Sequence, residues 1–205
     1  MKGLLVCFEG LDGSGKRTQA EMLEERLQKS GIATAFYSYP DYSSVYGKRI
    51  DDFLKKRVEI GVEELSMLFL ADMVKDSGKI VADIGSGKIV ILDRYFFSTI
   101  AYQSAGGSDY GRMKRIEDAV GLPRPDIVFY MSIDARASSD RKSLQKGELD
   151  KLESDMPYLS KVAGFYDRML DEGYGAREWA KIDASKDKDS IHEKIAAMVM
   201  KAIGH

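Results

Sequence analysis

The feature that most constrains this chain is a glycine-rich stretch that follows an apolar run near its start. Gly10-Leu-Asp-Gly-Ser-Gly15-Lys16 comes directly after the apolar residues Leu4 to Phe8, and helical spacing begins after Lys16. Glycines let the backbone curl so that its N–H groups converge on one anion. The start of a helix adds partial positive charge, and Lys16 adds a full charge. This order predicts a phosphate-binding loop (P-loop); the alternative is a glycine-rich turn without a ligand.

Five short apolar runs are candidates for buried strands. Their continuous apolar character is typical of parallel strands that helices cover on both faces. The runs are Leu4 to Phe8, Ile32 to Tyr37, Ile89 to Leu92, Ile127 to Met131 and Trp179 to Ile182. Segments with helical spacing cover Thr18 to Lys29, Glu63 to Val81 and Ile191 to Ile203. The alternation predicts an α/β fold of the P-loop NTPase class, a five-stranded parallel sheet flanked by helices.

Composition excludes several functional classes. The chain has 205 residues, 44% of them apolar and 31% charged, which is typical of one folded globular domain. A net charge of -2 gives no overall basic field, so we expect no nucleic-acid polymer as a partner. The single cysteine, Cys7, supports neither a disulfide framework nor a cysteine zinc site. Since no apolar stretch approaches the roughly 18 residues of a membrane helix and the N-terminal run is predicted as a strand, we expect no membrane partner and a cytoplasmic location.

A second polar motif follows the apolar run Ile89 to Leu92. Asp93-Arg94-Tyr95 would lie at the carboxyl end of a parallel strand, where ligands bind in open α/β sheets. Asp93 could hold Mg²⁺ or its waters, and Arg94 could clamp a substrate phosphate. The alternative is a structural Asp–Arg pair that caps a helix.

A third segment, Ala135 to Glu153, is polar and rich in cations. Its basic residues are Arg136, Arg141, Lys142, Lys146 and Lys151. The charge pattern suits either an ordinary solvated helix or a mobile lid that meets phosphate.

Taken together, these motifs resemble those of thymidylate kinases, in the family's order and over nearly the whole chain. The matching residues are Phe8-Glu9-Gly10-Leu11-Asp12-Gly13, Gly15-Lys16-x-Thr18-Gln19, Tyr39-Pro40 with Gly47, Leu68-Phe69-x-Ala71-Asp72, Asp93-Arg94-Tyr95 with Ser98 and Ala101-Tyr102-Gln103, Asp150 to Glu153, and Trp179 with Ile182-Asp183-Ala184. The resemblance implies phosphorylation of dTMP to dTDP by ATP with Mg²⁺. It also implies a homodimer of single-domain chains (residues 1–205, with a lid at about 135–153).

The resemblance assigns roles residue by residue. It implies that the ATP phosphates are held by Gly10, Leu11, Asp12, Gly13, Ser14, Gly15, Lys16, Arg17 and Thr18. It implies that the acceptor nucleotide is held by Asp12 at the 3′-hydroxyl, Phe69 on the pyrimidine face, Arg94 at the phosphate, and Tyr39, Met73, Ser98, Tyr102 and Gln103 around them. The catalytic set is Lys16, Asp93, Arg94 and Arg141, with Asp93 as the Mg²⁺ candidate. Because position 13 is glycine, the charge on the transferring group is expected from the lid: Arg141 first, then Lys142 and Lys146.

Departures from the family pattern leave alternatives open. Arg17 stands where most P-loops have Ser or Thr, and Thr18 lies about 100° further round the helix. Adenylate kinases resemble this sequence there, since they carry Gly-Lys-x-Thr-Gln and hold the metal largely through water. Arg17 therefore favours a monophosphate kinase but also motivates a non-catalytic nucleotide-binding homologue.

The acceptor region departs at two further positions. Met73 stands where the family usually has an arginine that donates to the thymine carbonyl. Because methionine donates no hydrogen bond, this departure motivates the alternative of a kinase for another pyrimidine nucleotide. Phe69 and Met73 could also be an ordinary apolar helix stripe. Asp41-Tyr42 follows Tyr39-Pro40 without the family's arginine, and Lys48 or Arg49 could compensate.

Overall fold

The chain forms a five-stranded sheet in the computed structural model, which describes residues 2–146 and 155–204 (142–146 without their side chains). The strands are β1 (Leu4–Gly10), β2 (Thr34–Ser38), β3 (Ile89–Asp93), β4 (Ile127–Ser132) and β5 (Glu178–Asp183). Their order is β2-β3-β1-β4-β5, and every neighbouring pair is parallel. The predicted α/β fold with five parallel strands is confirmed.

Eight helices flank the sheet within the described residues. They are α1 (Lys16–Lys29), α2 (Val45–Leu54), α3 (Val62–Gly85), α4 (Phe96–Ala105), α5 (Tyr110–Val120), α6 (Ala135–Lys146), α7 (Met156–Glu172) and α8 (Lys188–Ala202). The predicted helices correspond to α1, α3 and α8 with ends shifted by up to four residues. Asp109, Asp155 and Asp187 begin α5, α7 and α8 by accepting backbone N–H groups, as N-cap residues do.

Burial along the strands follows their places in the sheet. Every residue of β1 and β3 is buried, as expected of inner strands covered on both faces. The edge strand β5 instead has buried Ala180 and Ile182 beside exposed neighbours, and the edge strand β2 is half-buried throughout. This is why the β1 and β3 runs are the clearest in the sequence.

The strand register positions the functional site. Phe8 of β1 pairs with Asp93 of β3, so Glu9 and Gly10 lie beside Asp93 and Arg94 at the same sheet edge. The helices pack α1 on α8 and α4 on α7 and α3. No helix in the described parts of the chain is both long and apolar enough to cross a membrane.

Candidate functional site

A cleft of about 370 Å³ opens at the carboxyl ends of β1 and β3. This volume lies in the range of small-ligand sites, about 300–1,000 Å³. The predicted site residues that line it are Asp12, Gly13, Gly15, Lys16, Arg17, Thr18, Tyr39, Phe69, Met73, Asp93, Arg94, Ser98, Tyr102 and Gln103. The fold thus brings together most residues of both predicted motifs.

The loop before α1 adopts a conformation that requires glycine. Gly10, Gly13 and Gly15 have φ values of 140°, 81° and 84°, which disfavour any side chain. A Cβ atom on Gly10 would lie 2.6 Å from the carbonyl oxygen of Met131. Gly10, Leu11 and Ser14 are buried and do not line the cleft. The loop therefore ends in Gly15, the N-cap of α1, where free backbone N–H groups suit phosphate.

Two cations converge on one carboxylate in the cleft. The Nζ of Lys16 donates to Oδ1 of Asp12 at 3.1 Å and to the Leu11 carbonyl at 3.1 Å. The guanidinium of Arg94 donates to the same Oδ1 of Asp12. Burial, with the nearby Arg94 charge, lowers the pKa of Lys16. The cleft lining carries three cations, Lys16, Arg17 and Arg94, against the two carboxylates of Asp12 and Asp93, and the net positive charge suits an anionic ligand.

Arg94 is held in a strained backbone conformation. Its φ of 67° lies in the left-handed region, which costs a non-glycine residue about 1–2 kcal/mol. Its N–H donates to the Phe8 carbonyl at 3.0 Å, and Nη1 donates to Oγ of Ser98 at 2.8 Å and to the Gly10 carbonyl at 3.2 Å. Such strain persists where surrounding contacts enforce it, and it concentrates at functional sites.

Asp93 has one carboxylate oxygen to spare. Oδ2 accepts from Oγ of Ser38 at 3.1 Å, whereas Oδ1 is buried and has no hydrogen-bond partner within the described residues. A buried oxygen of this kind fits a water of a hydrated Mg²⁺ ion. No group of three or more His, Cys, Asp and Glu side chains forms a metal site in the parts of the chain that the structure covers. The spare Oδ1 of Asp93 therefore fits a metal that is held through water.

The far wall of the cleft is apolar. Met73 is buried and Phe69 is half-buried on the same face of α3, beside Leu54 of α2. Both also pack on the core, so the apolar stripe and the ligand wall are one surface. Tyr42 lines the rim and is 52% exposed.

The two cations proposed to compensate near Asp41 do not face this cleft. Lys48 and Arg49 are exposed on α2 and are absent from the cleft lining. Within the described residues, the cations that line the cleft are Lys16, Arg17 and Arg94.

The predicted lid begins as helix α6. Ser138 donates to the backbone carbonyl of Asp12, which joins this helix to the P-loop. Arg141 donates to the Ala184 carbonyl at 2.8 Å and does not line the cleft. The side chains of Lys142 and Lys146, and the Asp150 to Glu153 motif, lie outside the described residues.

Sequence reasoning gave no role to Glu9. Its side chain is fully buried beneath the loop, and its carboxylate accepts hydrogen bonds from Tyr95, Ser98 and Tyr166. Burial raises the pKa of Glu9, because a charged carboxylate loses its hydration there. The available signal was a carboxylate inside an otherwise apolar strand, directly before the first loop glycine.

Comparison with known proteins gives a consistent result. A sequence model of the family described as thymidylate kinase matches residues 8–195. A thymidylate kinase of Schizosaccharomyces pombe is 32% identical over 97% of this chain and 92% of its own length. One of Caenorhabditis elegans is 33% identical over 95% and 88%, and a putative thymidylate kinase (251L) of Invertebrate iridescent virus 6 is 30% identical over 98% and 89%. The resemblance in the motifs is therefore confirmed, and the chain belongs to the thymidylate kinase family.

Proposed function

We propose that the protein transfers the γ-phosphoryl group of ATP to dTMP, which gives ADP and dTDP. The observation that carries the proposal is the meeting of Lys16, on the phosphate loop, with Arg94, at the end of β3, on one carboxylate of Asp12. A donor-phosphate cation and an acceptor-phosphate cation a few ångströms apart suit in-line transfer between two phosphates. Membership of the thymidylate kinase family and the aromatic wall at Phe69 favour dTMP as the acceptor.

The loop holds the donor phosphates. Backbone N–H groups of Gly13, Gly15 and the first turn of α1 face the phosphates, and Lys16 carries the full charge at the β and γ groups. Release of Lys16 from Asp12 would leave that carboxylate for the 3′-hydroxyl of the deoxyribose.

Arg94 holds the acceptor phosphate. Ser98 and the Gly10 carbonyl fix one edge of its guanidinium, and Tyr102 lies against its face at 5.5 Å. The acceptor phosphate is already anionic and nucleophilic, so transfer needs no general base. Tyr39, Met73 and Gln103 close the remaining walls of the acceptor site.

Asp93 is the candidate Mg²⁺ residue. Its free Oδ1 would hold a metal-bound water, and Thr18 and Arg17 line the same cleft. When bound, Mg²⁺ neutralises charge on the donor phosphates.

The lid supplies charge for the transferring group. Arg141 lies on α6, which Ser138 joins to the P-loop at the Asp12 carbonyl. If α6 shifts toward the nucleotide, Arg141 releases the Ala184 carbonyl and donates to phosphate oxygens instead. Lys142 and Lys146 are the next candidates.

A coupled assay of ADP release across dTMP, dUMP, dCMP and AMP tests this proposal. We expect turnover with dTMP to exceed that with the other three. Lys16→Ala should abolish turnover, whereas Lys29→Ala, at the exposed end of the same helix, should leave it unchanged. Absence of turnover with all four acceptors would favour the non-catalytic nucleotide-binding homologue.

Met73 is the residue that bears on acceptor choice, although the family match does not favour a kinase for another pyrimidine monophosphate. Methionine fills the wall and donates no hydrogen bond to a base carbonyl. A clear preference for dUMP or dCMP in the same assay would replace dTMP as the acceptor.

We also propose a homodimer through α3. This helix carries Met67, Val74 and Val81 at seven-residue spacing, 43%, 44% and 56% exposed. An apolar stripe with this period suits pairing with the same helix of a second copy. Sedimentation equilibrium should show a dimer. The double variant Val74→Glu with Val81→Glu should dissociate it, whereas Val120→Glu on α5 should not; a monomeric wild type would exclude the dimer.

A cytoplasmic location stays a prediction from the sequence.

A further inference from the structure

Glu9 is the centre of a buried network under the P-loop. It is the residue before Gly10, and its side chain is fully buried. Oε1 accepts from the backbone N–H of Tyr95 at 2.7 Å and of Ser98 at 3.3 Å. Oε2 accepts from Oγ of Ser98 at 2.6 Å and from the hydroxyl of Tyr166 at 2.8 Å. One carboxylate thus joins β1, the start of α4 and the middle of α7.

One of these bonds, together with a backbone bond to Phe8, fixes the backbone on either side of Arg94. The Arg94 N–H donates to the carbonyl of Phe8, and the next N–H, of Tyr95, donates to the carboxylate of Glu9. Adjacent β1 residues therefore hold the two peptide groups that flank the left-handed Arg94. Because that conformation is unfavourable for arginine, contacts of this kind are needed to maintain it.

A third bond fixes the Arg94 side chain. Ser98 has one hydroxyl proton, which it gives to Oε2 of Glu9; its lone pair then accepts from Nη1 of Arg94 at 2.8 Å. The Ser98 hydroxyl also lies 2.8 Å from the hydroxyl of Tyr166, so the two groups form one hydrogen-bonded unit with Glu9. Burial raises the pKa of Glu9, and the nearby Arg94 charge opposes that rise. Glu9 thereby orients the serine that holds the guanidinium edge away from the ligand.

We propose that Glu9 is a positioning residue for the acceptor phosphate: through Tyr95, Ser98 and Tyr166 it holds Arg94 in its left-handed, cleft-facing conformation. Glu9 does not line the cleft and is not expected to touch either nucleotide. The inference rests on the proposed function for the identity of the acceptor. It predicts a defect confined to the acceptor, because the Lys16 contacts do not pass through Glu9.

The test compares Glu9→Gln with Glu117→Gln. Glu117 is also buried, accepts from an arginine and a tyrosine (Arg124 and Tyr174), and lies away from the cleft. Glutamine keeps the shape of glutamate and removes its charge. Its amide NH2 group is a donor and would face neighbouring groups that also donate. We expect Glu9→Gln to raise the KM for dTMP by roughly 10-fold to 100-fold and lower kcat, since misplacement by about 1 Å has effects of that size. The KM for ATP should stay within about twofold.

Thermal unfolding of both variants separates positioning from general destabilisation. If Glu117→Gln lowers Tm as much and leaves the KM for dTMP unchanged, the acceptor defect belongs to the Glu9 network. If Glu9→Gln matches Glu117→Gln in both KM values, or raises the KM for ATP equally, the proposal is wrong. Should Glu9→Gln not fold, Tyr166→Phe replaces it, with Tyr174→Phe as the control and the same criteria.

Calorimetric binding of dTMP without ATP keeps this test apart from that of the proposed function. If wild type binds dTMP but turns over no acceptor, phosphoryl transfer is wrong, and a weaker dissociation constant for Glu9→Gln still supports the positioning role. An unchanged constant, or no dTMP binding by the wild type, overturns it.

Discussion

Two buried glutamates, Glu9 and Glu117, have similar partners in different parts of the molecule. Each accepts from a tyrosine, Tyr166 or Tyr174, and each side chain is almost fully buried. Burial raises the pKa of both carboxyls. Each also has an arginine nearby. The two regions differ in the partners and the location of that arginine.

Arg124 pairs with two carboxylates away from the cleft, whereas Arg94 lines the cleft and shares its one carboxylate with Lys16. Arg124 donates to Glu117 at 2.6 Å and to Asp118 at 2.7 Å, and its guanidinium lies 4.9 Å from the Phe96 ring centroid. Arg94 reaches Glu9 through Ser98, and it shares Asp12 with Lys16. Arg124 is exposed at the surface and its pairs hold the end of α5, whereas Arg94 is largely buried and lies in the cleft wall, where an anionic ligand could reach it.

The largest effect should come from exchanging these arginines for alanine. We expect Arg94→Ala to lower kcat/KM for dTMP by more than about 10³-fold, because the acceptor phosphate loses its cation. Arg124→Ala should retain kcat and KM but lower the free energy of unfolding by up to about 3 kcal/mol, since Glu117 loses its charge partner. Steady-state kinetics and urea unfolding of both variants measure this; equal kinetic losses would remove the distinction between the two regions.

Arg141 extends the comparison to an arginine whose guanidinium donates to a neutral carbonyl. We expect Arg141→Ala to lower kcat by about 10³-fold, the low end for arginines that contact a transferring phosphoryl group. Arg136→Ala, on the exposed face of the same helix, is the matched control. Single-turnover kinetics measure the step directly, and full rate in Arg141→Ala would exclude the lid assignment.

Met73→Arg adds a cation where the cleft wall is apolar. If the thymine ring lies against Phe69, the new donor should lower the KM for dTMP by roughly tenfold, given about 1.5–3 kcal/mol for a charge-assisted hydrogen bond. Val120→Arg adds the same charge on the exposed part of α5 and should change no KM. A rise in the KM for dTMP would mean that Met73 acts through packing.

A surface carboxylate, that of Glu172, should give the smallest effect. Its contribution to stability should depend on pH in the direction opposite to that of Glu9 and Glu117. Hydrogen bonds from Lys114, then Tyr110 and Arg168, lower the pKa of Glu172 to about 2. Its contribution to stability is therefore present above the unfolded value of 4.5 and is lost as pH falls toward 2. The raised pKa values of Glu9 and Glu117 act in the other direction, because their contribution is lost as pH rises.

Urea unfolding at pH 5 and pH 3 of wild type and Glu172→Gln checks this. We expect the variant to lose less stability on acidification, by under about 1 kcal/mol because the pairs are partly solvated. Asp171→Asn is the exposed neighbouring control, and identical losses in wild type and Glu172→Gln would contradict the prediction.

Local patterns predicted the elements whose environment is uniform. The apolar runs of β1 and β3 are buried along their whole length, so their composition alone identifies them as strands. Local patterns do not delimit helices α2, α4, α5 and α7. Their apolar residues pack against several neighbouring elements, and their ends depend on N-cap residues such as Asp109 and Asp155. The predicted second strand began two residues early, at Ile32, which is buried although it precedes β2.

The candidate site also has a part that the sequence predicted and a part that it did not. The order of strand, glycine loop and Lys16 predicted an anion site because the glycines and the helix start are neighbours in sequence. The exposure of Lys48 and Arg49 could not be read from charge, since it depends on which face of α2 packs on α3.

By itself, the sequence determined the class of fold, the position of the glycine-rich loop and membership of a kinase family, because these depend on residues that are close together in the chain. The tertiary structure decided which charges remain available. Tyr166 reaches Glu9 from 157 positions away, and Arg94 reaches Asp12 from 82. Burial and parallel strand register bring such groups together, so only the folded chain distinguishes the cleft-lining Arg94 from Arg124, which pairs with carboxylates away from the cleft.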